Sequence, residues 1–143
     1  MSRVRLLLYW AIPLLIAVFL AIQLVPYGHN HTNPAVRREP RWANAETRAL
    51  TVRACFDCHS NQTTWPWYSN VAPVSWLVQR DVEDGRSQLN FSDWGHSDSG
   101  SGDAAEAVRG GSMPPWYYVV LHPKAKLSSA EKSALLQGLA RTH

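Results

Sequence analysis

Cysteine and methionine are scarce in this chain of 143 residues, with two of each. Two cysteines cannot build the disulfide framework of a small secreted scaffold. Charge is sparse at 17% of residues against 45% hydrophobic, which excludes a disordered polyelectrolyte. No basic tract occurs. Of fourteen Lys and Arg, Arg3 and Arg5 precede the first apolar run, and the other twelve face eleven Asp and Glu from Pro26 onward. A nearly neutral body offers nucleic acid no electrostatic footprint. Strand-like patterning is confined to the short run Tyr117 to Leu121. Tryptophan is abundant: seven residues, enough for a core of large flat side chains or one that surrounds a flat ligand.

Leu6 to Val25 contains no charge. As a helix these twenty residues span ~30 Å, the thickness of a bilayer's hydrocarbon. Arg3 and Arg5 lie on one side only, so the positive-inside rule keeps the N-terminus cytoplasmic and exports the rest. Tyr9, Trp10 and Tyr27 fall near the ends, as interfacial aromatics do, and Pro13 is tolerable in a membrane helix. A cleaved signal is the competing reading, but the run is long and Gln23-Leu24-Val25-Pro26 lacks paired small residues. The expected organisation is an anchor over 1–25, a tether over 26–40 and a folded body over 41–143.

The body reads as mostly α with long loops. Asn44 caps a helix that runs into Cys55. Asn61 to Pro73 is an aromatic loop, and Val74 to Leu89 has helical spacing with Gly85 as a weak spot. Asp103 caps a short helix that stops at Gly110-Gly111. Ser128-Ser129-Ala130-Glu131 is a capping box opening the last helix. Loops of this length need something to organise them.

Cys55-Phe56-Asp57-Cys58-His59 is C-x-x-C-H, the attachment signature of c-type haem. Two thiols three residues apart on one turn can each add to a haem vinyl group. The next residue then presents an imidazole to the iron. Random placement gives this arrangement roughly once in 1,700 chains of this composition. A thiol-redox pair would want a βαβ context, a zinc site a second close ligand pair, and a disulfide here would close almost no chain entropy. Met113 is the one internal methionine. Its loop, Gly110-Gly111-Ser112-Met113-Pro114-Pro115, suits a sixth iron ligand, with His122 as the alternative. His96 sits in a polar loop and reads as solvated; His29 and His31 lie in the tether, and His143 is terminal.

The chain resembles the bacterial haem-binding domain family of small exported cytochrome-like proteins. The resemblance rests on Cys55 to Asn61, Trp65-Pro66-Trp67-Tyr68-Ser69-Asn70-Val71-Ala72-Pro73-Val74-Ser75-Trp76, Asp81-Val82, Gly85-Arg86, Leu89-Asn90-Phe91-Ser92, Met113-Pro114-Pro115 and His122-Pro123. It covers Trp42 to Leu139. It implies one covalent haem c, a helical fold similar to small monohaem cytochromes c, and a single-pass inner-membrane protein facing the periplasm. Trp65 and Trp76 belong either to an aromatic core or to the haem wall, where a loop carbonyl would hold the ring N–H of His59. Arg80 and Arg86 are candidates for the propionates, though a solvated helix face explains both. The expected function is one-electron transfer between periplasmic or membrane-bound redox partners through His59/Met113-ligated iron. The rivals are a haem peroxidase, with His96 or His122 and Arg80 or Arg109 as distal groups, and a gas sensor in which the gas displaces Met113.

Overall fold

The computed structural model describes residues 3–96 and 100–143, the side chains of 3–8 excepted. Six α-helices account for the regular structure: α1 (Arg3–Ile22), α2 (Ala45–His59), α3 (Val74–Gln88), α4 (Ser101–Gly110), α5 (Trp116–Leu121) and α6 (Ser129–Leu139). The described residues contain no strand, only an isolated bridge between Arg38 and Asp93. The mostly α expectation holds. The chain forms two compact units, Met1–Thr32 with Trp65–Arg80 and Asn33–Thr64 with Asp81–His143.

In the first unit, the residues of α1 from Tyr9 to Ala21 carry no charge and are all exposed. It ends at Ile22, short of Val25. The next three amides turn back on Leu20, Ala21 and Ile22, and the Gln23 side chain exchanges two hydrogen bonds with the Ala72 backbone (3.0 and 2.9 Å). Among the described residues no helix is long and apolar enough to cross a membrane. The expected span Leu6–Val25 therefore finds no support: its first three side chains lie outside the described residues, and its last three residues leave the helix. The start of the tether is packed. Gly28 is buried at φ 91° with Ser75 beside it, leaving no room for a side chain. The His31 ring stacks on Trp65 at 4.5 Å, and its Nε2 donates to the Ser69 carbonyl (3.0 Å). The aromatic loop contains one short 3-10 turn, Trp67–Asn70.

The second unit is built on α2. Asn44 caps it as expected, its Oδ1 accepting from the Thr47 amide at 2.7 Å. Leu50 on α2 packs with Ala105 and Val108 of α4 and with Leu135 and Leu139 of α6. Gly138 lets α6 approach α2, since a Cβ there would run into the Thr47 side chain. A second cluster joins Phe56, Leu89 and Phe91, with Trp42 and Trp94 both against the Phe91 ring (5.4 and 5.8 Å). Removing a fully buried Leu135 or Leu139 side chain would cost about 2–5 kcal/mol.

Three local expectations change. Asp103 is not the N-cap of α4; the helix starts at Ser101, and Asp103 reaches back to the Gly100 amide (2.8 Å). The C-terminal stop is as expected, with Gly111 left-handed at φ 78°. The strand-like run Tyr117 to Leu121 is helical, because tertiary bonds from Tyr117 and Tyr118 override its β-propensity. Arg86 is not a solvated cation. It is half-buried and donates to the Ser60 carbonyl, Asn33 Oδ1 and Thr63 Oγ1 (2.8, 2.9 and 2.9 Å).

Candidate functional site

The C-x-x-C-H segment forms the last turn of α2, and Ser60 breaks the helix immediately after His59. The C-terminal part of α3 lies against this turn. Gly85 makes that possible: a Cβ there would stand 2.5 Å from the Cys58 carbonyl oxygen and 2.9 Å from its carbon. The close approach delivers two carbonyls to one ring nitrogen. His59 Nδ1 donates to Gly85 O (2.9 Å) and Leu89 O (3.1 Å). The proton thus sits on Nδ1, and Nε2 keeps its lone pair. Burial holds the imidazole below its usual pKa, against the opposing pull of the two carbonyls, so the ring is neutral at neutral pH. The expected carbonyl partner of His59 thus exists, but it comes from α3 rather than from the Trp65–Trp76 loop.

Cys55 and Cys58 are free thiols. Burial pushes both up to about 12; the neighbouring thiol adds to the effect at Cys55, and Asp81 and Asp57 add to it at Cys58. Two cavities adjoin at Cys55, sharing Ala54, Cys55, His59, Gln88 and Met113. One is apolar, walled by Leu89, Phe91, Ala104, Val108 and Leu139. The other carries more polar groups on its wall, with Cys58, Asp81, Asp84, Tyr117 and Tyr118. Met113 reaches both from the end of α4. Gly111 reverses the chain there, and the amides of Ser112 and Met113 both donate to the Ala107 carbonyl (3.1 and 3.3 Å).

This arrangement meets the requirements of a flat apolar macrocycle. It combines an apolar slot, two thiols on one turn, a neutral imidazole with a free Nε2, and a thioether on the same cavity wall. The haem-binding domain family model matches residues 17–141. The chain belongs to the haem-binding domain family. No curated protein and no solved structure matches it. This haem-binding domain therefore takes haem as its cofactor, and Cys55, Cys58, His59 and Met113 converge on one pocket in its second unit.

The other candidates fall elsewhere. Trp65 and Trp76 lie in the first unit and line neither cavity; Trp65 stacks on His31, and both indole N–H groups are buried without a partner. His122 lines neither cavity; its ring stacks on Tyr118 at 4.1 Å and its Nδ1 donates to the Tyr118 carbonyl (3.0 Å). His96 is exposed and pairs with Asp93 (3.0 Å). Arg80 and Arg109 are exposed. Sequence reasoning missed Tyr117, Tyr118, Asp57 and Asp81. Tyr118 donates to Asp57 Oδ2 at 2.6 Å and Tyr117 to Asp81 Oδ2 at 3.1 Å. The only signal was two tyrosines one residue beyond the Met-Pro-Pro loop.

Proposed function

We propose that this haem-binding domain is a monohaem c-type cytochrome that transfers single electrons, with His59 and Met113 as axial ligands. The observation that carries the reading is the His59 ring. Its Nδ1 is committed to Gly85 and Leu89, so Nε2 alone remains for iron. Cys55 and Cys58 would hold the haem through thioethers, each S–H adding across a vinyl C=C so that sulfur takes one carbon and hydrogen the other. Met113 is favoured over His122 because it lines the cavities and His122 does not. The haem, when bound, supplies a one-electron Fe(III)/Fe(II) couple. The chain's residues hold the imidazole neutral, exclude water with Leu89, Phe91 and Val108, and fill the sixth position.

We further propose that the protein is anchored in the inner membrane by Leu6–Val25 and faces periplasmic or membrane-bound redox partners. The support is the charge asymmetry at Arg3 and Arg5 and the exposed, uncharged stretch Tyr9 to Ala21 of α1.

Acid–acetone extraction of protein made with an exported cytochrome c maturation system tests attachment. Haem should stay on the polypeptide and be lost from Cys55→Ala/Cys58→Ala. Met113→Ala should abolish the weak near-infrared band of a Met–Fe(III) bond and open the ferrous site to carbon monoxide. Full extraction of haem, or a ferric spectrum that Met113→Ala leaves unchanged, refutes the corresponding assignment.

A further inference from the structure

We propose that Tyr118 and Asp57 form a latch that positions the Met113 loop and sets how firmly the sixth ligand is held. This rests on the assignment of Met113 to the iron. Asp57 stands between the two cysteines on α2, and both of its carboxylate oxygens are used. Oδ2 accepts from the Tyr118 hydroxyl at 2.6 Å, and Oδ1 accepts from the Thr64 amide at 3.0 Å. A phenol bonded to a carboxylate at that distance is among the stronger neutral-to-charged contacts.

What this bond holds is otherwise weakly held. α5 contains no buried residue. Its outward residues Trp116, Val120 and Leu121 are 78%, 68% and 59% exposed. Among the described elements, its backbone lies close to the Pro123–Ala125 turn that follows it. Only Tyr117, Tyr118 and Val119 are half-buried, so side-chain hydrogen bonds carry much of what fixes α5 in place. Tyr118 supplies the shorter bond and Tyr117, on Asp81, the longer.

α5 follows Met113 with only Pro114 and Pro115 between them. Two prolines have fixed φ angles and transmit position well. A displacement of α5 is therefore passed to the Met113 side chain. The attachment turn thus carries a third function besides thioether formation and proximal ligation. Through Asp57 it also grips the segment that brings the distal ligand.

Imidazole binding to the ferric holoprotein tests the latch, because imidazole must displace Met113. Tyr118→Phe removes one oxygen and keeps the ring on His122. It should raise apparent imidazole affinity about tenfold, the scale of one lost charge-assisted hydrogen bond. The near-infrared band should weaken in parallel. Asp57→Asn should shift affinity in the same direction, and the double variant should add little to either. Trp116→Ala, on the outer face of the same helix, should stay within about twofold of the parent. If Tyr118→Phe does not retain haem, Asp57→Asn carries the same comparison. The latch is refuted if the parent shows the band and Tyr118→Phe or Asp57→Asn binds imidazole like the parent. It is also refuted if Trp116→Ala shifts binding equally. A parent without the band refutes the ligand assignment itself, and the latch with it.

Discussion

Gly85→Ala offers the sharpest test of how the site is assembled, because the packing and the helix propensity predict opposite signs. Gly85 lies inside α3, where an alanine normally stabilises by about 0.5–1 kcal/mol. Here the added Cβ would meet the Cys58 carbonyl oxygen at 2.5 Å and its carbon at 2.9 Å. Both are backbone atoms of α2, so neither can rotate away. Relieving the clash means moving one helix off the other, an overpacking cost of about 1–3 kcal/mol. The net expectation is a loss of about 1–2 kcal/mol once the propensity gain is subtracted. At roughly 4 °C per kcal/mol, thermal denaturation should show a fall of several degrees. Gly102→Ala in α4 is the matched control. Nothing stands within 4 Å of its Cβ position, so it should stabilise by about 0.5–1 kcal/mol.

The same displacement should be visible at the haem. Gly85 O is the shorter of the two acceptors on His59 Nδ1. With His59 on the iron as proposed, weakening that bond would make the imidazole a poorer donor and disfavour the ferric state. Gly85→Ala should therefore raise the midpoint potential, while Gly102→Ala leaves it unchanged. A Gly85→Ala protein as stable as the parent, with an unshifted potential, would show that the close approach of α3 to α2 does not govern the site.

Other outcomes follow from the charges and thiols. With both thiols near 12, the folded haem-free protein should hold about one part in ten thousand as thiolate at pH 8, so a disulfide reagent should label it slowly until urea is added. Rapid labelling without denaturant would contradict the raised thiol values. Glu131 is lowered to about 2, first by the Ser128 amide and then by Arg53. Because its folded value lies below its ordinary one, its contribution is present above about pH 4.5 and fades as pH falls toward 2. Glu131→Gln should flatten stability across that window and leave the alkaline side unchanged. Carbonate washing should leave the full chain in the membrane fraction; release into the wash would contradict the anchor.

Features fixed by local chemistry were legible in the sequence. The Asn44 cap, the Ser128–Glu131 capping box and the Gly111 stop each involve groups within a few residues of one another. C-x-x-C-H was legible for the same reason. What failed depended on distant partners. Gly85 read as a flaw in a helix, because its neighbour Cys58 is 27 positions away in sequence. Arg86 read as solvated, because Asn33, Ser60 and Thr63 converge on it from separate segments. Tyr117 to Leu121 read as a strand, since propensity favours one and only Asp57 and Asp81 argue otherwise. Asp57 escaped notice because the haem signature treats its position as filler.

The two sides of the pocket are fixed by different kinds of contact, and this bears on where the protein can be tuned. His59 is held by two backbone carbonyls and by a helix crossing that tolerates no side chain at Gly85. Side-chain substitution cannot remove those acceptors; only moving α3 can, and that disturbs the fold. Met113 sits on a loop whose following helix has no buried residue and is bonded through tyrosine hydroxyls. Losing one such hydroxyl costs about 1.5–3 kcal/mol locally and leaves the α2–α4–α6 core intact. On the proposed ligation, the proximal side is thus tied to the crossing of α3 on α2, while the distal side depends on side-chain bonds made outside the α2–α4–α6 core. Sequence change that alters ligand exchange or potential without unfolding the chain is therefore expected at Asp57, Asp81, Tyr117 and Tyr118, before it is expected at Gly85 or Leu89.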